Sequence, residues 1–296
     1  MDRDSVVLGP VDPHTNWDDP VGLVVAENVV TTRIESLSFE NTWSGVYALG
    51  AFKAHNCVAR ACNIGFFVVG SLEIASSEFV GNLDTGLMMA NGADVGQIRG
   101  CSFRDNRFGA VAFSRSAGGD VVDSVILGGG GGIQYDNCPG TVAGCTLEHL
   151  IGSGFDILGG NAQVQVHDNV LRDNNVQFDI SGFATVEIRR NKILDSTYRG
   201  IWIGSTSYVT VQENDLMSNQ GYLVLLSGDW TQELVHYDFT MNYWGTTDPE
   251  EIAALIYDNH DDIQYRGVAD FIPFAEGPVP AEATSFGGWK ARFGGQ

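Results

Sequence analysis

The sequence predicts an all-β protein: a parallel β-helix of about ten coils, closed at its C-terminal end by one short helix. Three observations predict it. Short apolar runs, separated by polar turns and glycine, recur with a nearly constant period. Each period holds several segments of strand length and none of helix length. A stretch with a well-formed helix start signal follows the last repeat.

The repeat is legible in "LSFENTWSGVYAL", "SEFVGNLDTGLMM", "CSFRDNRFGAVAF", "CTLEHLIGSGFDI", "NKILDSTYRGIWI" and "NDLMSNQGYLVLL". Each has a small or polar residue, an apolar group, a polar turn, usually a Gly, and a second apolar strand. The positions taken as equivalent are Gly45, Gly65, Gly86, Gly109, Gly132, Gly154, Val176, Gly200 and Gly221, spaced by 20, 21, 23, 23, 22, 22, 24 and 21 residues. That period is too short for a propeller blade and lacks the leucine framework of a leucine-rich repeat. Coils stacked at the strand spacing of about 4.8 Å make a rod on the order of 50 Å long.

Stacking predicts ladders of equivalent residues. One runs Leu37, Asn56, Ser77, Cys101, Ser124, Cys145, Asn169, Asn191, Asn214; another includes Asn82, Asn106, Asn174, Ser196 and Asn219. Small polar side chains at a recurrent turn satisfy backbone groups that the turn leaves unpaired. Cys101 and Cys145 are then interior fillers.

The C-terminal segment "MNYWGTTDPEEIAALIYDNHDD" reads as a stopper. Asp248 is an N-cap, Pro249 suits the first helical position and Glu251 completes a capping box. Ile252, Leu255 and Ile256 form one apolar stripe to lay over the last coil, whose open end is an exposed sheet edge. Asp258, His260, Asp261 and Asp262 read as a polar exit loop rather than a metal site. The expected organisation is coils over 1–245, capping helix and closing loop over 246–274, and a tail over 275–296. No capping helix precedes the first coils, so the rod is expected to be truncated at its N-terminal end or capped by a partner or an irregular segment.

Composition narrows the partners. Acidic residues outnumber basic ones 37 to 16, for a formal charge of -21. Such a chain repels nucleic acid and anionic membranes. No apolar run reaches the length of a membrane span. Five cysteines without a CxxC do not make a disulfide framework.

The repeated "N/C/S-x-apolar…N…G-apolar-x-apolar" pattern, over about residues 20–245, resembles the right-handed parallel β-helix repeat proteins. These form the pectate-lyase-like superfamily, which includes the carbohydrate-binding and sugar-hydrolase repeat family. The resemblance implies a single-stranded right-handed helix and a secreted or cell-surface setting. It does not imply one activity, since the fold hosts lyases, hydrolases, epimerases, adhesins and spacers. "VDPHTNW" contains an Asp-Pro-His similar to a motif of alginate epimerases, but it precedes the main stack.

Side chains alternate in and out of the strand after each Gly. The outward row is read as Tyr47, Phe67, Met88, Val111, Gln134, Asp156, Gln177, Trp202, Leu223. Its first four members form an apolar partner face, to be covered by another protein, a second copy or another segment of the chain. Asp136, Asp156 and Asp179 then stand on neighbouring coils, where three carboxylates repel or recruit Ca²⁺. Lyases of the superfamily use such a cluster with a basic residue, a role that falls to Arg199 as the catalytic candidate. Trp202 and Tyr222 are the carbohydrate-binding candidates. His149 and His167 lie at coil turns as surface residues.

Three functions stay open. One is a non-catalytic surface module that binds polysaccharide or a protein partner along its side faces, with homo-oligomers among the assemblies allowed. Another is a Ca²⁺-dependent polysaccharide lyase or epimerase. The third is a spacer or stalk of a longer surface protein.

Overall fold

The computed structural model describes residues 21–27, 31–90, 92–204, 207–217, 221–228 and 234–279. The Asp-Pro-His segment, Asn219 and the tail beyond 279 lie outside them. Three parallel sheets run along the rod, and each strand pairs with its equivalents one coil away. Among the described residues, sheet A has 11 strands, from Val21–Val25 to Ile256–Tyr257, sheet B also has 11, from Thr32–Glu35 to Gly267–Asp270, and sheet C has 9, from Ser38–Glu40 to Asp215–Met217.

The bends between sheets come from single residues in the left-handed region. Between sheets B and C these include Ser36, Asn56, Asp123, Asp168, Arg190 and Glu213, with φ of 51° to 60°. Asn and Asp reach this conformation more easily than other side chains. Arg190 holds it against a penalty of about 1–2 kcal/mol because paired strands on both sides dictate the turn.

The residue after this bend forms the inner ladder. The backbone N–H of Cys145 donates to Asn169 Oδ1 at 2.8 Å, Asn169 to Asn191 at 3.0 Å, Asn191 to Asn214 at 2.8 Å and Asn214 to Asn242 at 2.9 Å. Nearer the N-terminus the same contact runs from Cys57 to Ser77 Oγ and from Cys101 to Ser124 Oγ. Cys57, not Asn56, occupies the ladder; Asn56 is the bend residue before it and is exposed. The second ladder includes the N–H of Asn82 on Asn106 Oδ1 and that of Leu150 on Asn174 Oδ1. All five cysteines are buried and free. Burial pushes the Cys101 and Cys145 thiols up to about 12, so they remain protonated fillers.

Aromatic stacks fill the interior. Phe79 lies on Phe103 at 4.8 Å, Phe113 on Tyr135 at 4.9 Å and Phe155 on Phe178 at 4.8 Å. The glycine column is a packing requirement: a Cβ on Gly65 would sit 2.2 Å from the Gly86 carbonyl oxygen of the next coil.

The helix spans Pro249–Ala254, with Asp248 accepting from the Glu250 N–H at 2.9 Å. Glu251 bonds the Thr246 hydroxyl instead of closing a capping box, and the Asp248 N–H donates to Thr246 Oγ1. Ile252 is buried, whereas Leu255 is already the C-cap and Ile256 belongs to the last strand of sheet A. The exit loop is built on a buried carboxylate: Asp258 is 4% exposed and accepts from the N–H groups of His260 and Ala269. Residues 275–279 return to the last coils, where the Ala275 N–H meets the Asn242 carbonyl and the Val279 N–H meets Asp215 Oδ1.

Candidate functional site

The outer face of sheet A is organised by one register row: Val24, Tyr47, Phe67, Met88, Ala112, Gln134, Asp156, Asp179, Trp202, Leu225, Tyr257. Three expected members are elsewhere. Val111, Gln177 and Leu223 are at most 1% exposed. The cause is the glycine column, whose true occupants in these coils are Ala110, Gln177 and Leu223, set by the pairs Leu87–Val111, Phe155–Phe178 and Ile201–Val224. Gly109 and Val176 precede the column by one residue and Gly221 by two. A one-residue slip turns a strand over. Val111 therefore leaves the partner face for the core, and Ala112 takes its place.

At the N-terminal end of the row, Tyr47 and Phe67 stack with centroids 5.3 Å apart and planes 10° apart, and Trp43 leans on Phe67 at 6.3 Å. Tyr47, Phe67 and Met88 are only partly exposed.

The middle of the row is acidic. Asp156 and Asp179 are direct register partners on adjacent strands, which puts their backbones about 4.8 Å apart. Gln134, one coil earlier, donates from Nε2 to Asp156 Oδ2 at 3.2 Å. Burial raises the Asp156 pKa; the Gln134 hydrogen bond opposes this, and the Asp136 charge adds to it. Burial also pushes Asp179 up to about 6, with the Asp156 charge adding and the Arg199 cation subtracting. Asp136 lies opposite Ser114 and Leu158, two residues further along its strand. There it accepts from Ser114 Oγ at 3.0 Å and lies 3.8 Å from Arg115 Nε.

The three carboxylates expected to hold Ca²⁺ thus do not form one column; two do, and the third is engaged beside it. Among the described residues, no group of three or more His, Cys, Asp or Glu is placed to hold a metal ion. The Asp156–Asp179 pair would supply up to four of the 6–8 oxygens that Ca²⁺ takes, the rest falling to water or backbone carbonyls.

Arg199 stands at the start of the next strand. It donates from Nη2 to Tyr198 Oη at 2.7 Å, and its guanidinium lies 4.4 Å from the Tyr198 ring centre and 5.5 Å from that of Trp202. Both contacts hold it as a cation over aromatic faces. Trp202 also reaches Ser227 Oγ through Nε1 at 3.3 Å. Tyr222 is brought instead to Tyr257, 4.7 Å away, at the end of the row. His149 and His167 sit beside Asp173 and Asp168 at coil bends, away from this row.

A groove of about 580 Å³ runs beside the same row. Its floor is Met88, Ala112, Gln134 and Asp156; its wall is the turn from sheet C to sheet A, with Asp84, Phe108, Gly130, Gly131 and Ser153. Phe108 is 65% exposed on that wall. Gly130, Gly131 and Gly132, in a run of five glycines at 128–132, leave one stretch of the lining without side chains. That run is the sequence signal for the groove, hidden because it also passes for one more turn of the repeat.

The family can now be stated. A family model described as the right-handed β-helix region matches residues 22–216 and 114–243. The chain belongs to this family. Among solved structures, the right-handed β-helix resembles that of the pectate lyase Pel9A, at 12% identity and a TM-score of 0.51, covering 88% of this chain and 72% of that one. This likeness is one of fold. No curated protein matches. No helix among the described residues is long and apolar enough to cross a membrane.

Proposed function

We propose that this right-handed β-helix is a secreted or cell-surface module that binds a polysaccharide along the outer face of sheet A. The observation that carries the reading is the groove: an open channel across four coils, with Met88, Ala112, Gln134 and Asp156 as its floor and the exposed Phe108 on its wall. Sugars are held by such combinations, because hydroxyls need directed polar partners while the apolar ring faces need aromatic or aliphatic cover. Calorimetry and affinity electrophoresis with neutral and acidic polysaccharides test it. Phe108→Ala is expected to weaken binding about tenfold, as removal of an aromatic contact does. Unchanged affinity in that variant, or no binding by the parent protein, would overturn the reading.

A second reading is favoured by one observation, the Asp156–Asp179 pair. A carboxyl that keeps its proton up to about pH 6 beside a second carboxylate suits acid–base cleavage of a glycosidic bond. Asp179 would give its proton to the leaving oxygen and Asp156 would act as the base or nucleophile. In the lyase form, the Arg199 cation would pair with the uronate carboxyl while Asp156 takes the proton beside it and Asp179 gives its proton to the leaving oxygen. Release of reducing ends tests the first form and an unsaturated product the second; neither, across the polysaccharides that bind, removes catalysis.

A further inference from the structure

Sheet B carries a second groove, of about 450 Å³, with a chemistry unlike that of sheet A. Thr141, Gln165, Glu187 and Thr210 are successive register partners on its outer face. Gln163, Thr185 and Tyr208 form the adjacent row. The side chains of Thr141, Gln163, Gln165 and Thr185 make no hydrogen bond to another described residue. The two carboxylates that line the groove are already engaged: Asp120 Oδ1 accepts from the Thr141 N–H at 3.1 Å, and Glu187 pairs with Arg189. Tyr208 is 70% exposed and stacks on no other ring among the described residues.

We propose that this face is a second binding surface, for a neutral polysaccharide. Free amides and hydroxyls in a row can each exchange a water contact for a sugar hydroxyl. Tyr208 offers an unoccupied ring face for the apolar side of a pyranose, which the self-stacked Tyr47 and Phe67 do not. Strands repeat every 4.8 Å or so, close to the length of one sugar in an extended chain. The engaged carboxylates and the charge of -21 select against polyuronates. The ligand class is shared with the sheet A reading, while the residues and the face are not. A molecule with both surfaces can bridge two chains or grip one chain twice, gaining avidity with no new contact.

The full chain, its Tyr208→Ala and Phe108→Ala variants and the double variant are run in affinity gels containing xyloglucan, galactomannan or polygalacturonate. Tyr208 is exposed, so its variant is expected to keep the parent unfolding midpoint. Tyr208→Ala should weaken binding of a neutral probe about tenfold, with Phe108 present or absent. A Tyr208→Ala effect without a Phe108→Ala effect would sink the sheet A reading and keep this one. Neutral binding indifferent to Tyr208→Ala would overturn the proposal, as would absence of neutral binding. Loss of self-association on Tyr208→Ala, without sugar binding, would also overturn it by assigning the face to a second copy.

Discussion

The outer face of sheet A changes chemistry between its N-terminal and middle coils while the backbone register runs on unbroken. Around Tyr47 and Phe67 the row is aromatic, and the rings turn their faces to each other at 5.3 Å. Around Asp156 and Asp179 the same positions carry carboxylates that burial and a neighbouring negative charge hold above their usual pKa. Parallel in-register stacking makes each residue the neighbour of its own equivalent. Like beside like stabilises when the side chains are rings and destabilises when they are charges. The N-terminal coils are therefore built for stability. The middle coils hold an electrostatically costly arrangement of the kind expected at a working site.

The largest expected effect tests what both regions share. Asn191 accepts from the N–H and the Nδ2 of Asn169 and donates to the Val166 and Arg189 carbonyls. Asn191→Leu should cost about 3 kcal/mol in urea unfolding by leaving these buried groups unpaired. A loss below about 0.5 kcal/mol would mean that the ladder is not the common scaffold.

Phe67→Ala should cost about 2 kcal/mol through lost burial and ring stacking, equally at acid and alkaline pH. Phe67→Glu should leave the molar mass from light scattering unchanged; a fall in mass would assign the partner face expected from the sequence to a second copy of the chain.

The acidic pair should behave oppositely. Asp179 binds its proton more tightly in the folded chain, with a pKa of about 6, than in the unfolded one, at about 3.9. The proton's contribution to stability is complete below the unfolded value and is lost as pH rises through the folded one. At pH above 7, Asp179→Asn should therefore stabilise the protein, by about 1 kcal/mol once solvent screening is discounted. That gain should vanish near pH 4. A melting-temperature difference independent of pH would break the contrast with Phe67.

The smallest effect is internal to the pair. Asp156→Asn should lower the Asp179 pKa, followed by carbon NMR of the side-chain carboxyl, because the neighbouring charge is gone. An unmoved titration would show that burial alone holds the proton on Asp179.

Legibility follows the repeat. The period, the Asn and Cys ladders and the short C-terminal helix are written in local pattern and can be read directly. The outward row is legible wherever the column residue is a true Gly, as at Gly45, Gly65, Gly86, Gly132 and Gly200. It slips wherever Ala110, Gln177 or Leu223 stands there, because turns absorb or release a residue without changing the apolar pattern. Asp179 stands out in the sequence as a site residue, yet its alignment with Asp156 depends on that slip. The groove escapes sequence reading because part of its lining is an absence of side chains, at Gly130, Gly131 and Gly132.

By itself the sequence determined that the chain winds into a parallel β-helix with small polar ladders inside and one short helix near its C-terminal end. These follow from side-chain period, turn chemistry and the need to satisfy backbone groups, all local in the chain. Only the tertiary structure decided which residues meet between coils: Gln134 with Asp156, Asp156 with Asp179, Asp179 with Trp202, and Thr185 with Tyr208. These pairs lie about one coil apart, and a single-residue change in one turn exchanges inside for outside.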